Sequence, residues 1–182
     1  GFQFTTNRVE NNDTALYAHV LYVASGSPAA AIRLERGDWI MEMNGEPITS
    51  KNYEKLYGSS AMELTVGYYD AIVAYKEPRS IAAARTVNDN PVYYKNVYTK
   101  GNKRVGYLVY NHFSSGATGN SNEYDDDLRS ASQYFAGQQV NELILDLRYN
   151  NGGLLSCAEL MCALLAPASQ LGQELGFLEF NS

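Results

Sequence analysis

Cysteine is scarce in this 182-residue chain, which has only Cys157 and Cys162. Five residues apart on one helical stretch, they point to different faces, so no disulfide joins them and neither has a partner at metal-ligand spacing. The redox compartment is therefore left open. Positive charge is thin as well: fourteen Lys and Arg against twenty Asp and Glu give a formal charge of −6, with no basic run or stripe. That balance excludes the usual footprint of a nucleic-acid partner. No apolar run approaches the roughly 20 residues that a membrane-spanning helix needs. The start has no methionine and no charged-then-apolar leader, since Gly1 leads directly into the strand-like Phe2-Gln3-Phe4-Thr5-Thr6. A native start upstream is expected, with any signal peptide or lipid anchor removed.

What the chain does have is concentrated between Glu142 and Leu160. Four of the five residues from Leu143 to Leu147 are apolar, the pattern of a strand covered on both faces; Gly152-Gly153 then turns the chain into a helix expected over 154–165. Paired glycines permit backbone angles and close approaches that a side chain forbids, and such a turn can aim free N–H groups at a developing negative charge. A plain strand-to-helix connection accounts for the same two glycines. Asp146 and Arg148, two apart on the strand, share a side and can pair to fix the turn.

Upstream, Ser27-Pro28 caps and opens a helix expected over 27–34, and Gly37-Asp38 leads into a strand with Trp39, Met41 and Met43 on one face. Asn44-Gly45 is a turn signal at its end. A second helix is expected over 51–57 with Tyr53, Leu56 and Tyr57 on one side, then a hairpin of 62–69 and 71–75 around Asp70. The polar, alanine-containing segment 77–90 marks a domain boundary. Strands over 91–99 and 103–110 follow, then a Gly/Ser/Asn loop over 114–121. Asn122 is the expected N-cap of a helix whose first turn carries Glu123, Asp125, Asp126 and Asp127, and whose apolar face is Tyr124, Leu128, Ala131 and Phe135. The acidic run suits the helix macrodipole; as a metal site it fails, because consecutive helical residues diverge around the axis.

His112, Ser114, Ser115 and Ser156 are candidates for base and nucleophile by residue type only. None of the serines lies in Gly-x-Ser-x-Gly or has a base nearby in sequence, and structural roles suit all four residues better.

The segment Val105-Gly106-Tyr107-Leu108-Val109-Tyr110-Asn111-His112-Phe113, a helix, and then Leu143-Ile144-Leu145-Asp146-Leu147-Arg148 with Asn150, Gly152 and Gly153 resemble the catalytic core of the S41 peptidases. These are the carboxyl-terminal processing proteases and their tricorn-like relatives. Gly26-Ser27-Pro28-Ala29-Ala30 and the stretch from Gly37 to Ile48 are similar to the PDZ domain that precedes this core. The resemblance implies an α+β PDZ-like domain over 1–80, a linker and first core strand over 81–102, and the first part of an α/β ClpP/crotonase-like protease core over 103–182.

It further implies that backbone N–H groups at Gly152 and Gly153 hold the oxyanion of an acyl transfer. The serine nucleophile would stand in a Ser-Ala-Ser-Ala-Ser-Glu-like segment downstream, with a lysine base later still; neither lies before Ser182, in the strand region expected to precede that segment. Residues 1–182 alone are then expected to be inactive, and no metal or organic cofactor is implied. A peptide or protein substrate would add as a strand beside Gly1, Phe2, Gln3 and Phe4, with a side chain against Tyr53 and Leu56. Gln3 stands where the family's Gly-φ-Gly-φ loop has its second glycine, so weak carboxylate capture is expected. The family setting is periplasmic, cell-envelope or secreted. The alternatives are a non-catalytic peptide- or ligand-binding protein of the same fold and, less well supported by the upstream half, an acyl-handling enzyme of the crotonase type.

Overall fold

A computed structural model describes residues 1–9, 14–70, 73–170, 172–174, 176, 177 and 179, with backbone alone at 68–70 and 73–76. The chain divides into two compact units, Gly1–Asp89 and Asn90–Ser182.

The first unit is a sheet of order β1-β2-β3-β5-β6, with β4 on β3 and all pairs antiparallel. The strands are β1 (Phe2–Arg8), β2 (Leu16–Val23), β3 (Trp39–Met43), β4 (Glu46–Pro47), β5 (Met62–Asp70) and β6 (Val73–Ile81). Its core is formed by Val20, Ile40, Ile48, Leu64 and Val66, none of them exposed, and is closed by Phe4, Leu34 and Leu56. Asn44 and Gly45 take φ of 54° and 77°, the double left-handed turn that lets β3 fold directly onto β4.

Four expectations are corrected here. Trp39 does not share a buried face with Met41 and Met43. The β3–β5 register slips between Ile40 and Glu42, so Ile40 and Met43 both enter the core while Trp39 turns outward and stacks on His19 at 4.4 Å. A bulge breaks the two-residue alternation on which the expectation rested. The helix expected over 27–34 is only α1 (Pro28–Ala31), although Ser27 Oγ does accept from the Ala30 N–H at 3.1 Å; Arg33, at φ 56°, ends it. The helix expected over 51–57 is a single 3-10 stretch, Tyr53–Tyr57. β6 also runs on past 75 to Ile81, through Pro78, which an edge strand tolerates. The tip expected around Asp70 involves residues 71 and 72, and the polar loop after Arg8 includes residues 10–13; both lie outside the described residues, as does the chain end at 180–182.

The second unit pairs β7 (Val92–Lys100) antiparallel with β8 (Lys103–Tyr110), and β8 parallel with β9 (Glu142–Asp146). Two helices, α2 (Glu123–Gly137) and α3 (Leu155–Leu165), pack Leu128, Phe135 and Met161 on Leu108 and Tyr110. All four residues of the expected α2 face are buried. Asn122 sits at the cap position without making a capping bond; the Ser115 carbonyl instead accepts from the Tyr124 N–H at 2.9 Å. β9 is not covered on both faces: among the described residues it pairs with β8 alone, and Leu143, Ile144 and Leu145 are 36%, 53% and 37% exposed. Apolar composition records what a strand can be covered by, and says nothing about whether the cover belongs to the same 182 residues.

Candidate functional site

The glycine turn is built around the end of β8. The Phe113 N–H donates to the Gly152 carbonyl at 2.9 Å, and the Leu154 N–H donates to the Phe113 carbonyl at 2.8 Å, so Phe113 and Gly153 form a parallel bridge. Backbone contact this close leaves no room for a side chain. A Cβ at Gly153 would lie 2.0 Å from the Phe113 oxygen, and its φ of 139° is left-handed territory that L-residues avoid. Gly152, at φ 96°, has open space around it and is constrained by conformation alone.

The two glycines differ in what their N–H groups do. Gly152 donates to Asn150 Oδ1 at 2.7 Å. The Gly153 N–H donates to no atom among the described residues, and the residue is exposed. Asn150 also donates through Nδ2 to the Tyr110 carbonyl at 3.0 Å, and its own N–H meets the Leu147 carbonyl at 3.0 Å. Sequence reading placed Asn150 in the S41-like stretch and gave it no role of its own. The available signal was its position two residues before a glycine N–H, the spacing of an Asx turn.

Just before the turn, the buried Asp146 collects four donors. Arg148 gives it Nε at 2.9 Å, Nη2 at 2.6 Å and the backbone N–H at 3.1 Å, and Tyr107 gives its hydroxyl at 2.6 Å. Tyr107 is paired with Ile144, two residues from Asp146, and reaches it diagonally across the strands. The Arg148 hydrogen bonds, opposed by burial and aided by Tyr107, hold the Asp146 carboxyl well below the usual carboxylate range. The same bond to Asp146 pushes Tyr107 up. The pair suspected from spacing forms, but with Arg148 in the turn beyond the last residue of β9 rather than on the strand, and it anchors the chain entering the turn.

The serines are placed structurally. Ser114 Oγ donates to the Gly116 carbonyl at 3.0 Å, the Ser115 carbonyl caps α2, and Ser156 lies in the first turn of α3 beside the buried Cys157. His112 meets the Tyr124 ring edge-on at 6.3 Å. Cys157 is raised by burial and then by its bond with Asp125, so it is a packed thiol rather than a reactive one.

In the first unit, Gly1, Phe2 and Leu56 line a small cavity of about 40 Å³, and Gly1, Phe2 and Gln3 line another of about 130 Å³ with Tyr22 and Val87. Phe4 is buried, with Tyr57 stacked on it at 4.7 Å; Tyr53 is half-buried against the core. The structure brings the β1 residues and Leu56 together and leaves Tyr53 out of both cavities.

The second unit, with its helices packed on Leu108 and Tyr110 and a glycine turn after the parallel strand, is a mixed α/β fold. The model of peptidase family S41 matches residues 104–174. A Bacteroides fragilis protein assigned to the S41 proteases is 43% identical with a TM-score of 0.77, over 95% of this chain and 46% of its own. A photosystem II D1 C-terminal processing protease shares the fold, at 20% identity and a TM-score of 0.58, over 89% of this chain and 42% of its own. No curated protein matches the chain. The chain belongs to peptidase family S41, as an N-terminal part, and spans less than half the length of these two solved relatives.

Proposed function

We propose that the protein carrying these residues is a serine endopeptidase of the S41 type. One observation carries the reading: an exposed Gly153 N–H that donates to nothing among the described residues, on a turn where Phe113 allows no side chain. An oxyanion donor needs such a group, preorganised and unspent. The nucleophilic serine and its lysine base lie outside residues 1–182 in this reading, and the serine forms an acyl-enzyme while Gly153 stabilises the tetrahedral oxyanion.

The first unit is the PDZ-like, peptide-binding part. Its support is the β1 edge beside Leu56, where a peptide adds as a strand and inserts an apolar side chain. The substrate is a peptide or protein with an apolar end, met in the periplasm, cell envelope or extracellular space. No helix among the described residues is long and apolar enough to cross a membrane.

The test is cleavage of an unstructured protein by the full-length protein, abolished when its downstream serine is changed to alanine. Binding of apolar C-terminal peptides without cleavage, by a protein lacking the serine and lysine, would establish the non-catalytic alternative. Titration of such peptides should shift Phe2, Phe4, Tyr53 and Leu56 resonances, and shifts confined to the second unit would remove the PDZ-like assignment.

A further inference from the structure

We infer that Asn150 is the positioning residue that aims the Gly153 N–H, an inference that rests on the oxyanion reading of Gly153 and deepens it. A backbone N–H has no direction of its own; it is set by the peptide plane to which it belongs. The plane joining Gly152 to Gly153 is held on its carbonyl side, where Gly152 O accepts from Phe113 at 2.9 Å. In a trans peptide the N–H points opposite to the C=O, so this bond turns the Gly153 N–H away from Phe113.

One fixed plane is not enough, because Gly152 has the widest backbone freedom of any residue type and no neighbour within 4 Å of a Cβ to limit it. The plane on its other side carries the Gly152 N–H, and Asn150 Oδ1 holds that group at 2.7 Å. With both flanking planes held, Gly152 keeps its φ of 96° and the Gly153 N–H keeps one direction.

The side chain has to be an amide. Oδ1 accepts from Gly152 while Nδ2 donates to the Tyr110 carbonyl at the end of β8, so the turn is referenced to the same strand that supplies Phe113 just beyond it. Aspartate keeps the acceptor and loses the donor, setting a carboxylate against the Tyr110 carbonyl and adding negative charge near the place where the oxyanion would form. Glutamine places the amide one methylene too far for both bonds. Asn150 also removes the Gly152 N–H from competition, leaving a single defined donor.

The experiment has two arms. In the 182-residue chain, Asn150→Ala and Asn150→Asp are compared with the unaltered chain by amide hydrogen exchange and by the Gly153 amide resonance. The Ala variant should exchange the Gly152 amide at least about tenfold faster, the loss of roughly 1.4 kcal/mol of protection, and both variants should move the Gly153 resonance while β8 amides keep their protection. An unchanged Gly152 rate and Gly153 resonance in the Ala variant overturns the inference, whatever the activity. In the full-length protein, both variants should lower kcat about tenfold or more with KM nearly unchanged, which a loss of folded protein alone would not produce once active sites are titrated. Activity lost on Gly153→Ala but kept on Asn150→Ala overturns the positioning role and leaves the oxyanion reading standing; activity kept on a folded Gly153→Ala overturns both.

Discussion

The Tyr107 hydroxyl reaches Asp146 Oδ2 at 2.6 Å across paired strands, while Arg148 grips the same carboxylate from two residues further along the chain. The side chain of Asp146 is 4% exposed and that of Arg148 is 64% exposed, so the acid is committed to the fold and the base is its lid.

This arrangement makes the second unit acid-sensitive. The folded-state pKa of Asp146 lies below its unfolded value, so its contribution is fully present above the ordinary carboxylate pKa of about 3.9 and is lost as pH falls through the folded value. Asp146→Asn should destabilise the unit by about 1–3 kcal/mol at pH 7. The difference from the unaltered chain should shrink as the pH is taken from 7 toward 2. Hydrogen exchange of the β8 and β9 amides across that range measures it, and equal stability at pH 7 would contradict the role given to the carboxylate.

Residues 1–182 alone should not hydrolyse peptides, because an oxyanion donor without a nucleophile and base retains little of an enzyme's rate. In the full-length protein, replacing Gly153 with valine should cost about 10²–10³ in kcat if its N–H is the donor. The Cβ clash with Phe113 adds a stability loss, so kcat and thermal unfolding have to be read on the same folded variant. Hydrolysis by the short chain that disappears on changing Ser114, Ser115 or Ser156 would place the nucleophile where the reading does not.

Trp39 is the single tryptophan, and it lies flat against His19. Burial, then the charge of Arg36, lowers the histidine pKa below its ordinary value of about 6.5. Unfolded chains therefore bind this proton more readily, and stability is expected to fall as pH drops below about 6.5 until the folded group titrates too. Trp39 emission should be quenched as the stacked imidazole becomes charged, with a midpoint under 6.5, and His19→Gln should flatten the curve. A midpoint above 6.5 would contradict the burial argument.

The exposed apolar side chains of Leu143, Ile144 and Leu145, on alternate faces of β9, and of Leu154 and Leu155 should make the 182-residue chain bind an apolar dye such as ANS. Ile144→Lys, at the most exposed apolar position on β9, should reduce dye binding without lowering the unfolding midpoint. A loss of stability instead would mean that Ile144 is packed in solution.

Helix α2 was legible because its information is local. A 3.6-residue repeat put Tyr124, Leu128, Ala131 and Phe135 on one face, and one sheet surface was enough to bury them. β9 was misread because its burial is not a property of its own residues: the same apolar run fits a central or an edge strand. Trp39 was misplaced by a bulge, which depends on pairing with β5 and leaves no mark in the spacing of β3. At the turn, the glycines were visible and the distinction between them was not, since it depends on Phe113, forty residues upstream, and on which N–H Asn150 takes. The Asp146–Arg148 pairing was suspected from a two-residue spacing on one strand, but β9 ends at Asp146, and it is the turn after the strand that brings Arg148 back onto the carboxylate.

Pro78 gives the outer margin of the first unit a property beyond tolerating a strand. It stands opposite Thr65 in β6, exposed, near the middle of the outermost strand of the sheet. A foreign strand aligning there would find no donor at that point and a rigid ring in its path. The residue therefore works as a stop against sheet-to-sheet polymerisation: a margin about nine residues long, which could otherwise recruit further copies, is divided into two short stretches.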